Sequence, residues 1–406
     1  MSLISPRPRP VRLVVVAVLL LALVLGLASF QYFRPVPATT ARPILAGSAA
    51  PEGTAPTLPW PAKGAGAVAA TDIGLLAVGG PTTPQPMFSV AKIMTALVLL
   101  EDKPLKVGEQ GPTITVDAAD VAVYQARLAA TESVVKVQAG EQLTEYQALQ
   151  GLLIPSGNNI GVLLSKWDVG SEAAMVAKLN ARARSLHLLN TTFDDVSGAS
   201  VKSVSVPSEL ALLGGLAIKD PVIASIVSQV QAVLPVAGVV YNVDYVLGQE
   251  NIVGIKTGSS PDGGANFVFA SAHSVEGRPV MILGAVMGLG TLDEAFAASK
   301  TLIKAVRPGL GLRHVVRKDQ PVARYTTPWG SNTDVTAQQG LDVLTWPGMV
   351  IHTHFAARPV NSPVAAGTRV GTFTVTAGDQ ALQTDLVTRS SLTKPPTRYR
   401  LTRTTF

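Results

Sequence analysis

The chain has 406 residues, 47% of them hydrophobic and 15% charged, which excludes disorder throughout and supplies apolar material for more than one core. Its net charge of +6 divides into +4 over residues 1–34, −4 over 35–310 and +6 from 311 onward; the largest segment is acidic, so nucleic-acid binding is not expected. Cysteine is absent, which rules out disulfide frameworks, zinc ribbons and thiolate chemistry.

Arg7, Arg9 and Arg12 precede an apolar run that starts at Leu13 and continues to Phe33, broken only by Ser29 and Gln31. At about 1.5 Å per residue it extends about 31 Å, the thickness of a bilayer core. Gly26-Leu27-Ala28 would suit a signal-peptide cleavage site, whereas Phe30, Tyr32 and Phe33 suit the aromatic belt of a retained anchor, with Arg34 beyond. Residues 1–34 are therefore expected to be a cytoplasmic tip and membrane anchor, with everything after them outside. Residues 35–59, rich in Pro, Ala and Thr, are expected to be an extended, solvated linker.

Residues 67–79 suit one or two strands, and 89–100 carry a helical pattern with no Gly or Pro. Segments 113–116 and 133–137 are short and β-branched, hence strands or extended loops. Helices are expected over 144–153, 172–187, 208–218 and 293–306, and strands over 254–256, 266–272 and 279–287. Helices and antiparallel strands mix without βαβ alternation, so the expected class is α+β, over a domain of residues 60–310. From 311 to 406 the chain is rich in Thr, Val, Arg and Gly with no convincing helix, which predicts a second, all-β domain.

Several catalytic patterns are missing: G-x-S-x-G, a Walker loop and H-E-x-x-H. Gly64-Ala65-Gly66 follows the linker rather than a strand, which argues against a dinucleotide loop. His352 and His354 share a strand face with no third ligand nearby, so no metal or cofactor is expected.

S-x-x-K occurs three times, at Ser89/Lys92, Ser133/Lys136 and Ser391/Lys394. A helix brings residues i and i+3 together, so that a lysine amine can take the serine proton, whereas a strand points them apart. Only Ser89/Lys92 opens a helix; Ser133 lies in an alternating stretch and Lys394 runs into two prolines. Ser156-Gly157-Asn158, the only S-x-N, follows a helix ended by Pro155. A serine and an amide there can relay a proton and hold a carbonyl. Lys256-Thr257-Gly258, the only K-T-G, lies on an apolar strand. Its lysine supplies positive charge, its threonine can grip a carboxylate, and its glycine leaves room for a substrate backbone.

In that order the three motifs resemble the signature of penicillin-interacting serine enzymes. The surrounding residues (Ser89 to Thr95, Ile154 to Asn159, Gly254 to Gly258, then Gly264-Ala-Asn266-Phe) look like low-molecular-mass D-alanyl-D-alanine carboxypeptidases of the bacterial wall. The similarity covers roughly residues 60–310, and 363–387 are similar to the β-domain that such enzymes carry. The resemblance implies a β-lactamase-like α+β fold and a substrate peptide ending in D-Ala-D-Ala, with β-lactams as covalent inhibitors. It implies Ser89 as nucleophile, Lys92 as base, Ser156 and Lys256 as proton relay and Asn158 as orienting amide. The backbone N–H groups of Ser89 and Ser259 would form the oxyanion hole, and Thr257 would meet the terminal carboxylate.

The chain departs from the family pattern at Asn159-Ile160, where relatives have Asp-Ala, and in lacking an arginine between residues 289 and 299. Its anchor is at the front, whereas relatives often use a C-terminal amphipathic helix. A class A β-lactamase would need S-D-N and a later glutamate base, and neither is present. A cross-link-cutting endopeptidase and a wall-binding homologue with weak turnover are the alternatives left open.

Overall fold

The computed structural model describes residues 10–45, 48–49, 53–261 and 263–404; Arg7 and Arg9 lie outside them. The chain forms two compact units. One comprises Pro51–Leu312 with Leu344–Met349, the other Met1–Ala50, Arg313–Val343 and Val350–Phe406. Composition placed the second boundary at 311. Contacts between residues group 344–349 with the first unit and the N-terminal fifty residues with the second.

The first unit is built on a five-stranded antiparallel sheet. Its strands are β1 (Ala65–Ala70), β2 (Gly74–Gly79), β3 (Ile252–Ser260), β4 (Gly264–Val275) and β5 (Arg278–Leu289), in the spatial order β3-β4-β5-β1-β2. Both faces are covered, which is why these strands read as nearly continuous apolar runs. The two-residue period of β4 separates the cores. Phe267 and Phe269 pack with α8 (Leu292–Val306), while Val268 and Ala270 pack with the helical side. The helical side contains α1 (Lys92–Asp102), α2 (Ala118–Ala129), α3 (Glu145–Leu153), α4 (Asn158–Val169), α5 (Glu172–Ser185), α6 (Pro207–Lys219) and α7 (Pro221–Val227). The helices over 144–153, 172–187, 208–218 and 293–306 appear within a few residues of expectation.

Three helices were not expected: α2, α4 and α7. Asp117 and Asp120 cap α2 reciprocally, each carboxylate accepting the other residue's backbone N–H (3.0 and 2.9 Å). The start of α4 has no side-chain cap: Gly157 precedes it, and its first residues, Asn158 and Asn159, read as loop.

In the second unit a seven-stranded antiparallel sheet runs in the order Ala41–Pro43, Pro321–Thr326, Asn332–Ala337, Gln380–Thr388, Arg369–Ala377, Ile351–Ala357 and Ser48–Ala49. Both outer strands come from the segment that composition suggested was a solvated linker. Ala41 pairs with Tyr325, Pro43 with Ala323 and Thr39 with Val360. Strand pairing uses the main chain, so Pro-rich composition does not forbid an edge strand, the one place where a missing N–H is tolerated.

The N-terminal helix Pro10–Phe33 is exposed along its length, with a mean hydropathy of 3.0 over a window of its apolar span, Val11–Phe33. Its last turn leaves backbone carbonyls without helical partners. The short C-terminal helix Thr397–Thr402, also unexpected, meets them. Arg403 donates to the carbonyls of Pro35 (2.9 Å) and Arg34, Arg400 to that of Tyr32 (2.9 Å), and Gln31 Nε2 donates back to Arg403 O (2.6 Å). Cations at a helix C-terminus also complement its dipole.

Candidate active site

Ser89 sits on a single 3-10 turn, Phe88–Ala91, that runs directly into α1. A 3-10 turn eclipses residues i and i+3, and Lys92 Nζ lies 2.8 Å from Ser89 Oγ. The hydroxyl side is partly exposed and the amine fully buried. The approach to the turn is strained: Phe88 has φ +50°, a region that bulky residues avoid. Two glycines make room for it. A Cβ on Gly198 would fall 1.7 Å from Phe88 O, and one on Gly258 would fall 2.6 Å from Met87 O and 3.1 Å from Ser89 N. The glycine of K-T-G therefore accommodates the nucleophile's own backbone, where sequence reasoning had reserved space for substrate.

Lys92 Nζ has two further acceptors, Asn158 Oδ1 (2.5 Å) and Ser197 O (2.8 Å). Asn158, the first residue of α4, donates its amide N–H to Glu132 Oε2 (2.7 Å), and Glu132 pairs with Arg127 (2.7 Å). Ser197 is held in place by Asp195, whose carboxylate accepts from Ser197 Oγ (3.0 Å) and from the backbone N–H groups of Gly198 (2.9 Å) and Ala199 (2.7 Å). Glu132, Asp195 and Ser197 belong to no motif, and no sequence signal pointed to them.

Ser156 occupies the left-handed region (φ +67°) and is buried, and its Oγ has no hydrogen-bond partner among the described residues. Buried polar groups are nearly always paired, so an unpartnered buried hydroxyl two residues before Asn158, itself bonded to Lys92, stands out. The departure at Asn159 has a structural explanation. Its side chain accepts from Val135 N–H and donates to Val135 O (both 2.9 Å), fixing the extended 133–137 segment against α4.

On β3 the pleat sends Lys256 to the face of Val268, the helical side, and Thr257 and Ser259 to the face of Phe267 and Ala265. Lys256 and Thr257 are buried, whereas Ser259 is exposed. Among the described residues Lys256 Nζ donates only to Thr257 O, at 3.2 Å. The structure thus brings Ser89, Lys92, Asn158, Ser197 and Gly258 into direct register and sets Lys256 near Lys92. Thr257 and Ser259 pair across the sheet with Phe267 and Ala265. The other two S-x-x-K pairs lie in exposed, non-helical segments, and no cluster of three metal-ligating side chains occurs among the described residues.

Electrostatics separates the two lysines. Burial, followed by the Lys256 charge and Arg127, pushes the Lys92 amine well below the ordinary lysine range, against Asp195 and Glu132. Burial pushes Lys256 down to about 7, with Asp244 opposing. A lysine amine pushed down by burial and lying 2.8 Å from a serine hydroxyl has the geometry and the electrostatics that a general base requires.

Comparison with known proteins identifies the family and the fold. A family model described as D-alanyl-D-alanine carboxypeptidase matches residues 62–289. D-alanyl-D-alanine carboxypeptidase DacB2 of Mycobacterium tuberculosis is 30% identical over 240 residues, covering 57% of this chain and 77% of that protein. Among solved structures, penicillin binding protein 5 from Haemophilus influenzae superposes with a TM-score of 0.61 at 18% identity, covering 84% of this chain and all of that one. The Streptomyces K15 DD-transpeptidase superposes with a TM-score of 0.53 at 23% identity, covering 62% and 98%.

Proposed function

The chain belongs to the D-alanyl-D-alanine carboxypeptidase family, and from that premise we propose that it removes the terminal D-alanine of peptidoglycan stem peptides through an acyl-enzyme on Ser89. The observation that carries the reading is the Ser89–Lys92 pair, a partly exposed hydroxyl 2.8 Å from a fully buried amine. Lys92 takes the hydroxyl proton as Ser89 Oγ attacks the carbonyl between the two D-alanines. Asn158 and Ser197 O hold the amine in line for that transfer. Ser156 passes the proton to the nitrogen of the departing D-alanine. Lys256 supplies positive charge for the substrate's terminal carboxylate, with Thr257 beside it on the strand. Water then cleaves the ester and returns the proton to Ser89.

β3 is the outermost strand of its sheet, so an extended peptide can lie along its open main-chain edge. The backbone N–H groups of Ser89 and Ser259 are the proposed oxyanion hole. β-Lactams acylate the same serine as covalent inhibitors. The N-terminal helix, long and apolar enough to cross a membrane, is a retained single-pass anchor in this reading, with the chain after it outside the cytoplasm. Arg12 stands at the start of the span and Arg34 follows it.

Labelled penicillin and a pentapeptide ending in D-Ala-D-Ala test the proposal together. Wild-type protein should form one covalent adduct and release D-alanine; absence of both would refute it. Cleavage of a cross-linked dimer in preference to the pentapeptide would reassign it as an endopeptidase.

A further inference from the structure

The amide of Asn158 stands between two charged side chains and offers each a different end. Its Oδ1 accepts from Lys92 Nζ (2.5 Å) and its Nδ2 donates to Glu132 Oε2 (2.7 Å). An ionised carboxylate can only accept, so the amide must turn its NH2 end toward Glu132, which leaves Oδ1 for the lysine. That orientation matters for the chemistry. To act as a base the Lys92 amine must be neutral, with two N–H groups and one lone pair. Asn158 Oδ1 and Ser197 O (2.8 Å) take the two N–H groups, and the lone pair is left for the proton of Ser89, whose Oγ is 2.8 Å away. A flipped amide would present an N–H to the amine and compete with Ser89 for the lone pair.

Glu132 is itself held by side chain and main chain. Arg127, in the last turn of α2, donates from Nη1 to the same Oε2 (2.7 Å), and its Nη2 reaches Glu172 Oε1 at the start of α5 (3.4 Å). The end of α2 pairs Thr131 N–H with Leu128 O (3.0 Å) and Glu132 N–H with Arg127 O (3.0 Å), which brings the acid back beside the arginine. Thr131 carries that reversal at φ +59°, a conformation that glycine normally supplies and a β-branched residue avoids. Strain of this kind persists only where the surroundings over-determine it. The residue after Glu132 adds a further tie, since Ser133 O accepts the backbone N–H of Asn158 (2.8 Å).

We propose that Glu132 is a positioning residue that sets the orientation of the Asn158 amide, and through it aims the Lys92 lone pair at Ser89. The proposal rests on the carboxypeptidase reading for the reaction it serves, and it assigns a role to a residue outside the three motifs. What Glu132 contributes is an acceptor oxygen rather than a net charge, because Arg127 matches its carboxylate at 2.7 Å. On Lys92 the two act in opposite directions, Arg127 pushing the amine down and Glu132 pushing it up.

The test is the acylation rate at saturating labelled penicillin, by stopped flow on the full chain in detergent. Wild type is compared with Glu132→Ala, Glu132→Gln, Glu132→Asp, Asn158→Ala and the double variant Glu132→Ala/Asn158→Ala. Glu132→Ala should slow acylation about tenfold. Glu132→Gln keeps an acceptor oxygen at the same reach and should recover to within about threefold of wild type. Glu132→Asp keeps the charge but draws the oxygen back by one methylene, and should recover less. In the double variant, Glu132→Ala should add less than about twofold to the loss from Asn158→Ala, because it acts through that amide.

Any of three results overturns the proposal: losses that multiply in the double variant, Glu132→Asp faster than Glu132→Gln, or Glu132→Ala at the wild-type rate. Should Glu132→Ala fail to fold, the order of the Gln and Asp variants decides. Wild-type protein that forms no penicillin adduct and releases no D-alanine would count against the carboxypeptidase reading instead.

Discussion

Two buried lysines about the reactive serine have opposite surroundings. Lys92 has two acceptors, Asn158 Oδ1 at 2.5 Å and Ser197 O at 2.8 Å, lies 2.8 Å from the Ser89 hydroxyl, and is pushed well below the ordinary lysine range. Lys256 has one acceptor among the described residues, at 3.2 Å, and burial pushes it down to about 7 with Asp244 opposing. The Ser156 hydroxyl lacks a partner as well. In the proposed mechanism, the half of the site that activates the nucleophile is therefore complete before substrate arrives, and the half that meets the substrate's carboxylate and passes a proton to its leaving nitrogen is left open. Pre-organisation on one side and unmet polar groups on the other are what a covalent acyl transfer needs, since only groups that gain partners during reaction favour the transition state over the resting enzyme.

The largest break in this comparison is Ser89→Ala, which should abolish acylation by penicillin, a loss of at least about a thousandfold. Ser133→Ala and Ser391→Ala should leave it intact, because neither serine has a lysine on a helical turn beside it. Intact-protein mass after penicillin treatment checks all three. Lys92→Met removes the base while keeping the volume, and should slow acylation about 10²- to 10⁴-fold in stopped-flow measurements.

Asn158→Ala takes one acceptor from Lys92 and leaves Glu132 without that donor. A lost charge-assisted hydrogen bond of about 1.5–3 kcal/mol corresponds to roughly a 10- to 100-fold slower acylation. Ser156→Ala sharpens the contrast differently. Its hydroxyl has no partner to lose, so the melting temperature should not fall, while turnover of a D-Ala-D-Ala peptide should. A stability loss with unchanged turnover would make Ser156 structural.

Away from both lysines, Glu145 at the start of α3 gives the smallest effect. It is buried with Oε1 unpartnered, and burial pushes its carboxyl up to about 7, with Asp168 adding and Lys103 opposing. A carboxyl raised on folding binds its proton more tightly in the folded state, so stability is lost as pH rises from the unfolded value through about 7. Glu145→Gln should therefore gain about 1–3 kcal/mol at pH 8 and nothing near pH 4, measured by thermal unfolding.

The sequence made the three motifs legible because each depends on a local backbone. One turn sets Ser89 over Lys92, one loop carries Ser156 and Asn158, and one strand carries Lys256. The sheet was equally legible, since strands covered on both faces are nearly all apolar. The residues that complete the site were not. Glu132 and Ser197 meet the motif residues only through tertiary folding, and Asp195 acts through Ser197; a lone polar residue on a loop has no periodicity to betray it. The start of α4 was hidden because Gly157 and two asparagines read as loop, although Asp117 and Asp120 did carry a readable cap for α2. Pairing of residues 41–43 with a strand nearly three hundred positions away leaves no compositional trace.

The most direct test of a Ser89 nucleophile activated by a buried neutral lysine is the acylation rate with labelled penicillin as a function of pH, with the adduct located by peptide mass spectrometry. The expected result is one adduct, on Ser89, at a rate already at its plateau near pH 7. An adduct on another serine, or a rate climbing about tenfold per pH unit toward the ordinary lysine value of about 10.4, would contradict it.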